Sequence, residues 1–492
     1  MAAQRPPNIV LILSDQHRAD WMGGAGRRRV ETPNLDALAA RGTLFAAAYA
    51  NYPLCAPSRM SMMAGQHPHR LGVYINEQCL SSDVPTFAHA LGLAGYETVL
   101  AGRMHFMGPD QRHGFARRLV GDICRCYAGG PDVDYGALAG TASNMPKAVE
   151  KAGPGDSPVL QYDEDVTRAA EEALRARGPD DPPLFLTVGW YGPHHPFTAP
   201  PDLYARAKAR LAALGDRPVP HAEDPLHPWQ AKRMERKQDV AATPERIAEV
   251  RANYAAMIDR TDQLVGRVLS AAEALPGETI VVYTSDHGES AGDHGMYGKG
   301  SFYEASIRVP LIVAPLRAGA AGWPAGGRMF PHPVSLVDLC PTLTELGGAP
   351  PLPLQDGRSL APVSRGAAVE EAAWRDRPVW AEQELVFLSP LFDPIRMVRR
   401  GDWKLIHYHG LEPPHLFNLR DDPDEQRNRA DDPACRAIRD ELTRLVFDGW
   451  DPDALLADAL RKGRDLKYLW EWGGRVGMGP LDLWRGGPPA PG

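Results

Sequence analysis

Two apolar runs of the sequence each end in a pair of polar residues: Asp15–Gln16 after NIVLIL, and Asp286–His287 after TIVVYT. Two carboxylates, an amide oxygen and one imidazole form a donor set suited to a hard divalent cation such as Ca2+, Mg2+ or Mn2+, and the imidazole favours Mn2+. A thiol supplies a second kind of chemistry. Cys55 opens a helical-looking stretch, PSRMSMMAG following directly, so an anion formed at residue 55 meets free N–H groups and the positive end of a helix dipole. Arg59 lies four residues on, one turn along the same face, where its guanidinium is within reach of that anion. Taken singly, an aspartate after a strand also serves as a helix cap, and a cysteine is also a common inert core residue.

Such residues need elements that bring them together. NIVLIL (8–13) is a continuous β-branched run of the kind that forms a strand covered on both faces. Thr32-Pro33 then opens a helical pattern through LDALAARG that stops at Gly42, with Thr32 as N-cap and proline at the first helical position. The alternation repeats: VPTFAHALGLAG leads to YETVLAG, DEDVTRAAEEALRARG to PLFLTVGW, and a long helical segment from about Pro244 to Leu275 leads to TIVVYTSD. Strands alternating with helices predict an α/β fold, a large mostly parallel sheet sandwiched by helices. Each strand is followed by polar residues: Asp15-Gln16, then Arg103 and His105, then His194-His195, then Asp286-His287. In open α/β sheets, ligands bind at the carboxyl edge, so these groups are expected to converge on one site.

After about Arg375 the pattern changes to short alternating runs with turn signals (RPVWAEQE, IRMVRRGDWKLIHYHG, HLFNLRDDPDEQRNRA), which predict a smaller α+β domain with a short antiparallel sheet. The expected division is a catalytic domain over 1–375 and a C-terminal domain over 376–492. From about Asp451 a Trp-bearing, pattern-poor stretch reads as an arm that packs on another subunit.

Composition narrows the functional classes. The 62 acidic and 54 basic residues give a net charge of −8, and no basic block reads as a nucleic-acid footprint. The first apolar run is too short for a signal-peptide core or a membrane span, so the expectation is a cytoplasmic protein that engages neither nucleic acid nor membrane. Six cysteines in so long a chain do not make a disulfide framework, and the CRC at 124–126 lacks the second pair of a zinc site.

LCAPSR (54–59) with Gly65 resembles the signature of the sulfatase family, whose C-x-P-S-R core directs oxidation of the cysteine to formylglycine. SDQ (14–16), GRMHF (102–106), GPHHPF (192–197), TSDHGE (284–289), GKGSFYEASIRVPLI (298–312), GDWKLI and LFNLRDDPDEQRN resemble further family blocks in the family's order, so the resemblance spans roughly Asn8 to Asn428. It implies an alkaline-phosphatase-like fold and one divalent metal, Mn2+ or Ca2+, held by Asp15, Gln16, Asp286, His287 and the modified Cys55. It implies that Arg59, Arg103, His105, His194 and Lys299 surround the sulfate, with Asn76 adding a hydrogen bond; His195 reads as a supporting or substrate-facing residue and not as a ligand. His194 or Lys299 would protonate the leaving group, and His105 would deprotonate the second hydroxyl of the formylglycine hydrate after a covalent sulfo-enzyme intermediate has formed. Gln16 replaces the second aspartate of many members, Arg103 stands where lysine is usual, and His287 stands where asparagine is common. The pattern is similar to that of choline sulfatases and phosphonate monoester hydrolases.

The implied activity is hydrolysis of aryl or small alkyl sulfate esters. The implied partners are a formylglycine-generating enzyme during maturation and further copies of the chain, as dimer or tetramer. A phosphonate monoester or phosphodiester hydrolase would use the same nucleophile. A non-catalytic metal- and anion-binding protein with an unmodified Cys55 is the reading from a different class. The leaving-group pocket is assigned to loops such as 112–145, which carry no readable code.

Overall fold

The computed structural model of the 492-residue chain describes residues 5–24, 26, 28–130, 145–221, 227–235, 243–383, 394–477 and 483–484. Its strands, in chain order, are β1 (Asn8–Ser14), β2 (Thr43–Tyr49), β3 (Glu97–Gly102), β4 (Arg117–Val120), β5 (Gly153–Pro154), β6 (Leu184–Gly189), β7 (Thr198–Ala199), β8 (Thr279–Ser285), β9 (Arg308–Val309), β10 (Leu311–Pro315), β11 (Arg328–Ser335), β12 (Val379–Gln383), β13 (Ile395–Arg400), β14 (Trp403–Tyr408) and β15 (Leu411–Asn418). A large sheet runs β11-β2-β10-β8-β1-β6-β3-β4, with β9 beside β2. Its central strands β8, β1, β6 and β3 are mutually parallel, while β10 is antiparallel to both neighbours.

The continuous apolar strands are explained by burial on both faces. Along β1, Ile9, Leu11 and Leu13 enter one core and Val10 and Ile12 the other; β8 divides the same way, Ile280 and Val282 against Val281 and Tyr283. Helices Cys55–Ala64, Phe87–Leu93 and Leu339–Leu346 cover the first face. Helices Pro33–Ala39, Pro158–Arg175 and Pro244–Ala272 cover the second. The expected sandwich is therefore present, with one local correction. Thr32 makes no side-chain cap to the Pro33 helix. Asp262, from the long helix on the same face, accepts instead from the N–H of Asn34 (3.1 Å) and of Leu35 (2.8 Å).

The four-stranded antiparallel sheet β12-β13-β14-β15 begins at Val379. Val398, Leu405 and Leu416 face the helix Arg436–Val446, while Met397, Ile406 and Phe417 face Tyr49, Phe302 and Ile307 of the large domain. The pattern-poor terminal stretch is a 25-residue helix, Pro452–Val476, with Asp451 accepting from the N–H of Ala454. Gly473 is there for contact: a Cβ would stand 2.4 Å from the Ala128 carbonyl oxygen. Within the expected pocket loop, β4 is a strand, and residues 131–144 lie outside the described residues.

Burial pushes the Asp262 carboxyl up to about 6, against the amides of Leu35 and Asn34 that favour its charged form. A raised carboxyl binds its proton more tightly in the folded chain. Its stabilisation is fully present below about pH 4, the ordinary aspartate value, and is lost as pH rises through about 6. Asp262→Ala should remove this pH dependence. It should also speed amide hydrogen exchange at Leu35 by about tenfold, the equivalent of a lost cap, as NMR or mass spectrometry would measure.

Candidate active site

Strand register sets the first distance in the site. Ser14 and Ser285 are partners in the β1/β8 ladder, so Asp15 and Asp286, one residue further on, leave adjacent strands side by side. Gly102 pairs with Gly189, and the Arg103 N–H donates to the Gly189 carbonyl at 2.8 Å. Only glycine fits at 189, because a Cβ there would lie 2.0 Å from the Arg103 oxygen. The polar residues after β1, β3, β6 and β8 thus share one sheet edge, as the sequence predicted. Gln16 (φ 72°) and His105 (φ 61°) take left-handed backbone conformations at this edge, a cost that non-glycine residues bear mainly where the surroundings fix them.

The Cys55–Ala64 helix sits on that edge with every residue buried and stops at Gly65 (φ 67°). Cys55 is 1 % exposed. Its Sγ lies 3.1 Å from His287 Nε2 and 3.7 Å from Asp15 Oδ1. Burial alone would raise the thiol pKa. The Lys299 and His287 charges and a hydrogen bond from His105 outweigh it and bring the pKa well below the ordinary value. Asn76 Oδ1 accepts from the Ala56 N–H at 3.0 Å, so it fastens the first turn of this helix.

The side chains of Asp15, Cys55, Asp286 and His287 offer ligand atoms that all lie within 4.8 Å of one another. His287 Nδ1 is 3.1 Å from the Gly288 carbonyl, which fixes its proton there and leaves the Nε2 lone pair aimed at the cluster. Burial disfavours an imidazolium, but the Asp286 and Cys55 charges win and the His287 pKa is raised. The cluster therefore attracts positive charge, and its hard donors fit a divalent cation. Gln16 differs from the rest of the expected ligand set. Its Oε1 accepts from Lys299 Nζ at 2.7 Å and its Nε2 donates to Glu289, so its donor atom is already engaged by a cation.

The two arginines also depart from expectation. Arg59 is fully buried and uses Nε on Asp286 Oδ2 (2.7 Å), Nη2 on Asp15 Oδ2 (3.2 Å) and Nη1 on the Arg103 carbonyl (3.0 Å). Arg103, 1 % exposed, spends Nε on Asp15 (2.8 Å), Nη1 on Asp122 and Cys124 (3.0 Å each) and Nη2 on His105 Nδ1 (2.8 Å). Both stand behind the carboxylates and hold them, and their charge reaches the pocket through those carboxylates. Burial and the Cys55 charge push Asp15 up, yet the Arg103 and Arg59 guanidiniums hold it well below the usual carboxylate range.

Because Arg103 donates to Nδ1, the neutral His105 ring carries its proton on Nε2. It meets residue 55 as a hydrogen-bond donor, not as the proton acceptor the sequence suggested. His194 Nδ1 is 2.7 Å from the His195 carbonyl, and its Nε2 is 2.5 Å from Lys299 Nζ. Burial and the charge of the half-buried Lys299 lower the His194 pKa, which favours its neutral ring. His195 stacks on His194 at 4.0 Å, a supporting place consistent with its exclusion from the ligand set.

Three positioning carboxylates escaped the sequence analysis. Glu289 accepts from the Ala291 and Gly298 amides (2.8 and 2.6 Å) and so sets the loop carrying Lys299. Asp163 accepts from the Tyr191 and Gly192 amides (2.8 and 2.9 Å), just before His194. Asp122 accepts from the His105 amide at 2.9 Å. Asp163 and Asp122 act on backbone amides 17 to 29 residues away, and only the family block TSDHGE gave Glu289, which acts within its own loop, any signal. Asp293 and His294 are buried: Asp293 pairs with Arg18 (2.8 Å) and Arg251 (3.1 Å), and His294 stacks on Tyr303.

The edge of an alkaline-phosphatase-like sheet thus brings a helix-borne cysteine beside a carboxylate cluster that could hold a metal ion. The sulfatase family model matches residues 7–349, and the model for the N-sulphoglucosamine sulphohydrolase C-terminal region matches 292–448. The chain belongs to the sulfatase family, within the alkaline phosphatase superfamily. A choline-sulfatase of Rhizobium meliloti (strain 1021) is 33 % identical over 94 % of this chain and 90 % of that protein. Arylsulfatase K of Rattus norvegicus is 31 % identical over 90 % and 78 %. The crystal structure of a phosphonate monoester hydrolase of Agrobacterium radiobacter superposes with a TM-score of 0.70 at 25 % identity, covering 92 % of this chain and 96 % of that one.

Arg59→Met, in a Cys55→Ala background so that maturation plays no part, would leave Asp286 buried without its cation. The metal-free protein should lose about 3–5 kcal/mol of stability. Added Mn2+ or Ca2+ should restore part of it, measured as the shift in denaturation midpoint.

Proposed function

We propose that the protein hydrolyses sulfate esters of aryl or small alkyl alcohols, with residue 55, as formylglycine, supplying the nucleophile. The observation carrying this reading is Cys55 at the start of a buried helix, 3.1 Å from His287 Nε2, in reach of Asp15, and hydrogen-bonded by His105. Asp15, Asp286, His287 and residue 55 would hold a divalent cation, Mn2+ or Ca2+, which when bound supplies Lewis acidity toward the nucleophile and the nonbridging oxygens. Gln16 would join it by sharing the oxygen now given to Lys299.

The chain's own groups divide the remaining work. His105 donates from Nε2 to the oxygen at residue 55 and orients it. Lys299 Nζ donates to His194 Nε2, and Lys299 is the group that delivers a proton to the departing alkoxide or phenoxide and offsets charge on the transferred group. Arg59 and Arg103 keep the carboxylates in register. Asn76, next to the first turn of the helix, adds a polar group to the pocket wall.

The phosphonate monoester reading rests on the structural likeness to the Agrobacterium enzyme. Comparing kcat/KM for 4-nitrophenyl sulfate and 4-nitrophenyl phenylphosphonate separates the two. Faster sulfate turnover is expected, and a phosphonate preference of tenfold or more would reverse the assignment. Mass spectrometry of the peptide containing residue 55 should find an aldehyde that hydrazines trap. An intact thiol in active enzyme would remove the formylglycine mechanism. Asp286→Ala should lose bound metal and turnover together.

We further propose a cytoplasmic homo-oligomer, dimer or tetramer. The six cysteines are free, as reducing compartments require, and no helix among the described residues is long and apolar enough to cross a membrane. The exposed residues Tyr468, Leu469, Trp472 and Val476 form one stripe of the terminal helix, a surface suited to a second copy. Trp472→Glu should lower the sedimentation coefficient to that of a smaller assembly, and an unchanged value would move the interface elsewhere.

A further inference from the structure

Asp122 lies just past β4 and is 1 % exposed. Its Oδ1 accepts from Arg103 Nη1 and the Cys124 N–H (3.0 Å each), its Oδ2 accepts from the His105 N–H (2.9 Å), and Arg118 approaches to 3.6 Å. One carboxylate thereby fixes both the guanidinium behind Asp15 and the left-handed backbone of His105. The main chain of Asp122 is held from the other side by the far end of the sequence. Leu483 pairs with it as a parallel bridge, and the Trp484 N–H donates to its carbonyl at 2.9 Å. Trp484 is 6 % exposed. Its indole sits edge-on to Tyr162 with centroids 5.4 Å apart, and its Nε1 donates to Asp165 at 3.0 Å. Tyr162 in turn donates from its hydroxyl to the Gly121 carbonyl at 2.9 Å. Gly121 and Asp122 are thus clasped from outside by Tyr162 and Trp484 while the Asp122 side chain reaches inward.

We propose that Leu483–Trp484 is a strap that sets the position of Asp122, and that Asp122 is a positioning residue which orients Arg103 and His105 for the chemistry at residue 55. The inference rests on the reading that these two groups serve the reaction. The physical case is a tightly coupled chain: a parallel β-bridge extends the edge of the large sheet, an aromatic contact covers it, and a buried carboxylate passes the placement to two site residues. Releasing the strap frees the Asp122 backbone without removing any group that touches substrate. Displacement of site groups by an ångström costs up to about a hundredfold in rate, so partial release should cost on the order of tenfold.

The test uses the mature full-length protein and two readouts. In Trp484→Ala, amide exchange of the segments containing His105 and Asp122 should accelerate about tenfold while the long helix Pro244–Ala272 keeps its protection. On whichever of the two nitrophenyl esters the wild type hydrolyses, kcat should fall on the order of tenfold with KM within about threefold. Trp484→Phe keeps the ring against Tyr162 and should stay within about threefold of wild type. Unchanged exchange at His105 with unchanged kcat would overturn the strap, as would uniform acceleration throughout the protein, which would mark Trp484 as general packing. Exchange at His105 is read without turnover. Wild-type protein inert toward both esters would therefore defeat the proposed activity while leaving the strap to be judged on exchange alone.

Discussion

Arg59 bridging Asp15 and Asp286 is the interaction on which the rest of the site depends. Two carboxylates leaving neighbouring parallel strands would repel each other in a region closed to water. A guanidinium between them, with Nε on one and Nη2 on the other, makes their approach stable and leaves their outer oxygens to face Cys55 and His287. The same side chain pins the helix that carries Cys55, and Ser58 reinforces it by donating to the Asp286 carbonyl at 2.7 Å. Nucleophile and carboxylates are thereby held to one frame. A buried ion pair is weak evidence of net stability, and its value here is geometric.

Behind that frame a second tier of carboxylates works on backbone amides. Glu289 shapes the Lys299 loop, Asp163 the turn before His194, and Asp122 the His105 backbone. Catalytic loops displayed at a sheet edge would otherwise carry unsatisfied N–H groups into a buried pocket. Each of these acids satisfies two such groups, Asp122 a guanidinium besides, and the pair Lys299–His194 is placed as a result.

Much of this was legible in the sequence because the physics is local. β-branched runs of five to seven residues predict strands buried on both sides, and a polar residue straight after each run must emerge at the sheet edge. The Cys55–Arg59 spacing is one helical turn, and it did place both residues on one face. What that spacing could not tell was which way the Arg59 fork turns: four residues fix the face of the helix, but the two aspartates that capture the guanidinium come from β1 and β8. The tautomer of His105 was hidden for the same reason, since it is dictated by Arg103. Asp122, Asp163 and Asp262 are single acids in unremarkable contexts whose partners lie far away, so no periodicity marks them. The terminal helix was missed because the Trp-bearing stretch shows little pattern, and Gly473 serves close packing against Ala128.

The burial of Cys55 has a consequence for how the protein is made. A side chain 1 % exposed in the finished fold cannot enter the active site of another enzyme, so the oxidation proposed here has to happen on an open chain. His287, which closes over the thiol, is synthesised 232 residues later. At about 5–20 residues per second that delay is on the order of 10–50 s. During it, the helix of residue 55 has neither Asp286 nor His287 to dock against. Synthesis order therefore keeps the thiol open for modification until the residues that need the product arrive to enclose it.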